Sequence, residues 1–258
     1  MNNINKTLYI PLYGKAYVNK KGIILKDQKA EEIWEKEKFI LKRKSRSKYL
    51  AYYMAMRSYV FDQWLLSHIK EDSIILHIGC GMDARVERIP CINQWYDIDL
   101  KEVIRERRKY FQDNDYYHMM IGDIQDCRWL NNIPKGNVIV LMEGMSMYVT
   151  MSTLKEFFCK VIEYFDNVHI LVDCYSGFAA NASKYKNPIQ DVGVKQVYGI
   201  DNPKDLEISD LKFIKEHNIT PLEKIKELKG IEKMIFKYLY AGHISHRMYR
   251  LYEYKTNA

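Results

Sequence analysis

Two glycines one residue apart, directly after a short apolar run, are the first feature that predicts chemistry. The run Ser73–Ile78 (SIILHI) is followed by Gly79, Cys80 and Gly81. Glycines let a chain turn sharply from strand to helix and leave peptide N–H groups open to a ligand. Asp99 stands 20 residues past Gly79, at the end of a second apolar run. A carboxylate there can accept hydrogen bonds from both hydroxyls of a ribose, so the spacing predicts a nucleotide-like ligand.

The glycine motif alone leaves two cofactors open, because Gly79-x-Gly81-x-x-Ala84 also fits a dinucleotide such as NAD. Three observations favour S-adenosylmethionine instead. The glycine turn begins some 70 residues into the chain, behind a helical segment, whereas a nicotinamide domain often begins with it. Asp83 lies where its charge would repel a pyrophosphate. Carboxylates also follow three successive apolar runs, at Asp99, Asp123 and Glu143.

These carboxylates need a sheet that brings them to one edge. Short apolar runs alternate with helical patterns after residue 70, which indicates a parallel sheet covered by helices on both faces, and so a doubly wound α/β fold. The predicted strands are Ser73–Ile78, Gln94–Ile98, Tyr117–Ile121, Asn137–Met142 and Val168–Val172. Helices are predicted at Gln28–Leu41, Tyr49–Ile69, Leu100–Phe111, Ser152–Phe165 and Asp205–Glu216. The tail His246–Lys255 alternates apolar and polar residues, which predicts an antiparallel strand at the sheet edge.

Composition and charge exclude several classes of protein. The 258 residues are 47% hydrophobic and 28% charged, as in ordinary globular chains, and the net charge is only +7. The basic run Lys42–Lys48 is the one candidate for nucleic acid or anionic membrane, and we interpret it as a solvated connector, so neither partner is expected. The start has no secretory signal pattern and no run is long enough to cross a bilayer, so we expect a cytoplasmic protein. The five cysteines show no zinc or redox spacing, and we expect no metal.

Several ordered motifs resemble the leucine carboxyl methyltransferase family, which includes polyketide O-methyltransferases. They are YMAMRSYVFDQW, ILHIGCGMDAR, WYDIDLKEVIRERR, IGDIQD and EGMSMYVT, and they span much of residues 10–175. The resemblance implies a Rossmann-like seven-stranded, mostly parallel sheet with an antiparallel last strand and a helical N-terminal cap. The cap is expected to cover residues 1–70, and the cofactor-binding domain is expected to cover residues 71–258. A substrate lid is expected around residues 175–226.

The resemblance also implies roles for individual residues toward S-adenosylmethionine. Arg57 matches an arginine that pairs with the cofactor carboxylate, and Lys15 matches a supporting basic residue. The glycines Gly79 and Gly81 match the turn that lets the backbone approach the cofactor. The remaining cofactor-binding residues are implied to be Asp99 for the ribose, Asp123 and Ile124 for the adenine, and Glu143 near the amino acid end. Asp126 is an alternative to Asp123.

The function that we expect is S-adenosylmethionine-dependent methyl transfer to the oxygen of a carboxylate or hydroxyl on a small, polyketide-like molecule. Tyr148 matches a tyrosine that faces the substrate pocket and is the candidate catalytic residue. A hydroxyl acceptor needs a general base, for which Tyr148, His77, His118 and Tyr175 are candidates. The alternatives are an NAD-dependent oxidoreductase and a non-catalytic protein that binds S-adenosylmethionine. The oligomeric state does not follow from the sequence.

Overall fold

The computed structural model describes residues 8–38, 40–41, 46–90, 92–183 and 196–257. Most of the basic run at 42–48, together with Cys91 and part of the expected lid, lies outside these residues. Three helices precede the sheet: α1 (Tyr9–Lys21), α2 (Gln28–Glu37) and α3 (Lys48–His68). Asp27 and Ser47 begin α2 and α3 as N-caps, because their side chains accept hydrogen bonds from the N–H groups of Ala30 and Leu50.

A seven-stranded sheet forms the centre of the molecule. Its strands are β1 (Ile74–Ile78), β2 (Trp95–Asp99), β3 (Tyr117–Ile121), β4 (Asn137–Met142), β5 (Asn167–Tyr175), β6 (Leu211–Glu216) and β7 (Tyr249–Thr256). The order is β3-β2-β1-β4-β5-β7-β6, with β1 to β5 parallel and β7 antiparallel to both of its neighbours. The predicted fold class is confirmed, since the sheet is mostly parallel and ends in an antiparallel strand.

Helices cover both faces of the sheet, as continuous apolar strands require. After β1 the helices are α4 (Arg85–Arg88), α5 (Lys101–Arg107), α6 (Met151–Tyr164), α7 (Gly177–Ala182), α8 (Leu222–Glu227), α9 (Gly230–Leu239) and α10 (His243–Met248). One buried core joins Ile75 and Leu171 of the sheet to α1 and α3. A second core joins Val140 and Ile170 to Phe157 of α6 on the opposite face.

Two predictions near the C-terminus are wrong. Leu211–Glu216 is strand β6 and not part of a helix, although its lysines and glutamate suit a helix, because Leu211 and Phe213 pair along β7. β7 is therefore not at the edge of the sheet, since it lies between β5 and β6. β6 takes the edge, where Lys212 and Lys215 discourage pairing with another chain.

Candidate active site

A cavity of about 530 Å³ lies at the carboxyl ends of β1 to β4. Such a volume suits a small-molecule site. The structure places every site residue singled out from the sequence on its wall: Lys15, Arg57, Gly79, Gly81, Asp99, Asp123, Ile124, Glu143 and Tyr148. The three carboxylates at the ends of β2, β3 and β4 thus meet at one ligand-sized space. Their individual roles stay predictions.

The glycine turn forms the floor of the cavity at the end of β1. Gly79 has φ +66° and Gly81 has φ +52°, which are left-handed conformations that side chains disfavour. A Cβ on Gly79 would come within 2.8 Å of the Met145 Cβ atom, so a larger residue would push against the loop after β4. The Gly79 N–H donates to the Ile98 carbonyl at 2.8 Å, and this bond fixes the turn against β2.

Asp99 connects the end of β2 to this turn. Its Oδ2 accepts from the Gly81 N–H at 2.9 Å and its Oδ1 accepts from the Leu100 N–H at 2.8 Å. Burial raises the pKa of Asp99, and the two backbone donors oppose that rise. Because each carboxylate oxygen has two acceptor positions, both oxygens keep one for a ligand hydroxyl.

The loop after β3 distinguishes the two candidate adenine acceptors. Asp123 lines the cavity, where its Oδ1 accepts from the Gln125 N–H at 2.9 Å. Asp126 is exposed, does not line the cavity and is bound by the Arg128 Nε at 2.8 Å. Of the two aspartates, only Asp123 can therefore contact a ligand in the cavity.

Arg57 is a buried guanidinium held between two carboxylates. Its Nε lies 3.1 Å from the Glu143 Oε1, and its Nη1 lies 2.7 Å from the Asp173 Oδ2. Its Nη2 has no hydrogen bond to any described residue and lies against Gly144, which has no side chain to cover it. Burial opposes the ionisation of Glu143, yet Arg57 and Arg85 outweigh burial and hold the pKa of Glu143 at about 2. The charge of Arg57 is thus balanced by the protein while one nitrogen keeps free donors.

A second group of buried charges surrounds Asp83. Its carboxylate lies 3.0 Å from the Lys15 Nζ, 3.3 Å from Arg85 and 2.7 Å from Arg88. Asp62 of α3 binds both arginines from the other side, at 2.6 Å in each case. Asp83 is therefore not an isolated negative charge at the cavity, because three cations contact it and are shared with neighbouring carboxylates.

Sequence reasoning missed Asp62, Arg85 and Asp173 as parts of this region. Asp62 and Asp173 are charged residues within apolar elements, as in YVFDQW and ILVDCY, and that is the signal which could have revealed them. Arg85 stands in the polar helix RVER and has no such signal. All three are buried, and buried charges are paired in folded proteins. Arg85 and Asp173 contact residues that line the cavity, namely Asp83, Glu143 and Arg57, whereas Asp62 contacts Arg85 and Arg88 behind them.

The candidate general bases differ in their positions relative to the cavity. His118 lies near the start of β3, where it stacks on Tyr96 and contacts Gln94, so it is not at the cavity. His77 lines the cavity but is buried, with Nδ1 3.0 Å from the Asp97 Oδ1 and Nε2 3.3 Å from the Arg85 Nη1. Tyr175 is buried against Tyr249 and does not line the cavity. Neither histidine is free to accept a proton from a substrate in the cavity.

Tyr148 ends a short helical turn, Ser146–Tyr148, after β4. Its ring is 36% exposed and faces the cavity. The surrounding protein disfavours the charged form and raises the pKa of the phenol well above its ordinary value of 10.0. Tyr148 is therefore protonated at neutral pH, and it can donate a hydrogen bond but not act as a base there.

The sequence profile described as "Leucine carboxyl methyltransferase" matches residues 7–161, more than half of the chain. The chain belongs to the leucine carboxyl methyltransferase family. It is 23% identical over 243 residues to the tetracenomycin polyketide synthesis O-methyltransferase TcmP of Streptomyces glaucescens, covering 91% of this chain and 90% of that protein. It is also 26% identical to the S-adenosyl-L-methionine-dependent methyltransferase dpfgK of Gibberella zeae, covering 66% and 64% of the two chains. The resemblance read from the motifs is confirmed.

Solved structures agree on the fold of this family member. A candidate methyltransferase from Thermobifida fusca matches with a TM-score of 0.60 at 10% identity, covering 81% of this chain and 83% of that one. An S-adenosylmethionine-dependent methyltransferase from Anabaena variabilis matches with a TM-score of 0.51 at 9% identity, covering 78% and 84%. No helix of the described chain is both long and apolar enough to span a membrane.

Family membership makes the protein an S-adenosylmethionine-dependent methyltransferase, and so the NAD-dependent alternative does not apply. The cavity fits this cofactor on its own chemistry. Free acceptor positions on Asp99 suit a ribose diol, and the free Nη2 donors of Arg57 suit a carboxylate. Gly79 and Gly81 also line the cavity with backbone that no side chain shields.

Proposed function

We propose that the protein transfers the methyl group of S-adenosylmethionine to an oxygen atom, on a carboxylate or hydroxyl, of a small polyketide-like molecule. The observation that carries this proposal is the cavity itself, which joins a wall of buried, paired charges to an apolar wall and offers no free histidine among the described residues. The similarity to TcmP over 91% of the chain supports oxygen as the acceptor atom.

The charged wall is proposed to hold the cofactor. Asp99 would accept from the ribose hydroxyls, and Asp123 would accept from the adenine amine while the Ile124 N–H reaches a ring nitrogen. Arg57 would bind the cofactor carboxylate with Lys15 in support, and Glu143 would keep Arg57 in place. Bound there, S-adenosylmethionine supplies an electrophilic methyl group on a sulfonium ion.

The apolar wall is proposed to hold the acceptor. Leu8 and Pro11 come from the start of the chain, Met147 and Tyr148 from the turn after β4, and Tyr249 from the start of β7. Apolar side chains exclude water from the acceptor oxygen and align it, which is the main task of the protein when the methyl group is already reactive. Tyr148, being protonated, would position the acceptor by donating a hydrogen bond.

Among the described residues, neither His77 nor His118 is free to act as a base at the cavity, which favours an acceptor that is ionised before it binds. A carboxylate is ionised at neutral pH and needs no base, and an acidic phenol needs little help. An aliphatic alcohol, by contrast, would need a base within about 3 Å of its oxygen. We therefore expect aromatic carboxylates and acidic phenols to be better acceptors than alcohols of equal size.

The test is methyl transfer from labelled S-adenosylmethionine to matched carboxylates, phenols, alcohols and amines. We expect transfer to oxygen, with kcat/KM rising with pH only until the acceptor itself is ionised. Brief treatment with alkali releases methanol from a methyl ester and not from a methyl ether, which distinguishes the two products. Transfer to nitrogen alone would contradict the proposal. Binding of S-adenosylhomocysteine with no transfer to any acceptor would favour the non-catalytic alternative.

A further inference from the structure

Three of the seven histidines of the chain meet at a single carboxylate, away from the cavity. His68 ends α3, His169 lies near the start of β5, His217 follows β6, and Glu253 lies on β7. The Nε2 atoms of His68, His169 and His217 lie 3.8, 2.8 and 2.5 Å, respectively, from the nearest Glu253 oxygen. We call these four residues the histidine cluster. It brings together four elements that are far apart in sequence.

His68 is anchored by one ring nitrogen and turns the other toward this carboxylate. The Nδ1 of His68 lies 2.8 Å from the Trp64 carbonyl oxygen, which can only accept, so Nδ1 carries a proton. The Nε2 lies 3.8 Å from the Glu253 Oε1 and is the nitrogen left to bind a ligand. Metal-binding histidines are commonly fixed in this way, with the second ring nitrogen donating to a backbone carbonyl.

His169 supplies a second nitrogen at the same oxygen. A neutral imidazole has one nitrogen lone pair to offer a metal ion. The Nε2 of His169 now donates to the Glu253 Oε1 at 2.8 Å. When Nε2 binds a cation instead, the single proton of the neutral ring moves to Nδ1. One nitrogen of His68, one of His169 and one Glu253 oxygen all lie within 4.8 Å of one another.

Trp64 packs against the cluster, and its indole nitrogen is a buried donor without a hydrogen-bond partner among the described residues. Its ring is 4.8 Å from the His68 ring and 4.7 Å from the His169 ring. The Trp64 Nε1 is buried and finds no hydrogen-bond acceptor among the described residues. Such a donor is costly to leave unpaired. This unpaired donor belongs to the ring that packs against both histidines.

We propose that His68, His169 and Glu253 form a site for a divalent transition-metal ion of the zinc class. Two imidazoles and one carboxylate are a common zinc donor set, and two ligands on a tetrahedral ion with bonds of about 2.1 Å lie about 3.4 Å apart. The observed separations of 2.8 and 3.8 Å lie on either side of this value. His217 would position Glu253 through its other oxygen, Oε2.

The site would fasten α3 to the sheet. A cation at the C-terminus of this 21-residue helix also interacts favourably with the helix dipole. α3 carries Arg57, which is 11 residues from His68, or about 16 Å along the helix axis. The ion is therefore expected to stabilise the fold and the position of Arg57, and to take no part in methyl transfer. His68, with 29% of its side chain exposed, leaves a path for entry.

The test is a titration of the full chain, freed of metal with EDTA and dialysed, with ZnCl₂ by calorimetry and with Co²⁺ by visible absorption. We expect one ion per chain, Co²⁺ bands typical of tetrahedral coordination, and a higher melting temperature with zinc. H68A and H169A should each weaken zinc binding by about 100-fold or more, because loss of a supporting group alone costs about 10 to 100-fold. H217A should fall within that smaller range.

The control is H243A, which removes an exposed histidine of α10 outside the cluster. It should bind zinc as the unmodified protein does. H68A changes a partly exposed helix end, so its fold is expected to persist and can be checked by its melting temperature in EDTA. The proposal is overturned if the folded protein binds neither ion, or if H68A and H169A bind zinc as tightly as H243A. Either result would leave the cluster as a network of hydrogen bonds around Glu253.

Discussion

The two walls of the cavity differ in how the protein holds them. On the charged wall, the cations are fixed by buried carboxylates, as Arg57 is by Glu143 and Asp173 and Lys15 is by Asp83. On the apolar wall, Tyr148 and Leu8 contribute surface without a comparable network of ion pairs. Pro11, also from the start of the chain, completes this wall. A rigid wall suits a ligand that never changes, and a loosely held wall suits one that differs between relatives. Cofactor binding should therefore tolerate few substitutions, and acceptor binding more.

The charged wall also ties cofactor binding to folding, because its cations and anions are buried together. A buried ion pair gives strong destabilisation when one partner is removed, since the other charge is left in a medium of low polarity. Substitutions on this wall should lower stability and affinity together. Substitutions on the apolar wall should lower the use of the acceptor alone.

The largest effect is expected for Arg57→Ala, which leaves Glu143 and Asp173 buried without their shared cation. Loss of one partner of a buried pair costs about 3 to 5 kcal/mol, so we expect the free energy of unfolding to fall by about that amount in urea titrations. Binding of S-adenosylhomocysteine should also weaken. The matched control is Arg128→Ala, because Arg128 pairs with Asp126 but is 87% exposed, and exposed pairs contribute about 1 kcal/mol or less. Equal unfolding curves for the two variants would contradict the charged-wall account.

Acid should weaken the charged wall through Glu143. Arg57 and Arg85 overcome the effect of burial and hold the pKa of Glu143 at about 2, below its ordinary value of 4.5. A carboxylate with a lowered folded pKa contributes stability above pH 4.5 that is lost as the pH falls toward 2. We expect the free energy of unfolding to fall across this window, and to fall less steeply in Glu143→Gln. A variant with the slope of the unmodified protein would show that Glu143 is not ionised in the fold.

Gly79→Ala tests the backbone part of the charged wall. The variant combines a left-handed conformation with a contact of 2.8 Å to Met145. Gly22→Ala is a matched control, because Gly22 has φ +64° but no atom within 4 Å of the added Cβ. Both should lose about 1 to 2 kcal/mol of stability from the backbone alone. Only Gly79→Ala should lose affinity for S-adenosylhomocysteine in calorimetry, and loss of affinity in both would remove the specific role of Gly79.

Asp99→Asn should weaken cofactor binding by about 1 to 3 kcal/mol, the cost of losing hydrogen bonds to a charged group. The amide oxygen can still accept from one backbone N–H group, so the effect on folding should be smaller than for Arg57→Ala. Asp126→Asn is the control, since Asp126 is exposed and does not line the cavity. Unchanged cofactor affinity in Asp99→Asn would contradict the proposed contact of Asp99 with the ribose. A loss of cofactor affinity in Asp126→Asn would indicate that Asp126, and not Asp123, contacts the adenine.

Much of the cavity could be predicted because its residues follow strands directly. Once β1 to β4 are recognised by their apolar runs, Gly79, Asp99, Asp123 and Glu143 must meet at one edge of the sheet. The buried partners of these residues could not be predicted. Arg57 pairs with Asp173, for example, although the two residues are 116 positions apart, and no local sequence pattern links them. β6 was mistaken for a helix because its lysine-rich sequence is compatible with both structures and only pairing with β7 decides. The histidine cluster has no sequence motif, since its members lie on four elements.

The smallest effect is expected on the apolar wall, for Tyr148→Phe. Removal of the hydroxyl keeps the ring and costs one hydrogen bond to the acceptor, about 0.5 to 1.5 kcal/mol, which corresponds to a fall in kcat/KM of up to about tenfold. Because the surrounding protein raises the pKa of Tyr148, the phenol stays protonated across the usual assay range, and the variant should show the same pH profile as the unmodified protein. Binding of S-adenosylhomocysteine and the free energy of unfolding should be unchanged. A changed pH profile would instead indicate that Tyr148 acts as a base. A loss of cofactor affinity would show that Tyr148 also contributes to cofactor binding, and so would contradict the division into two walls.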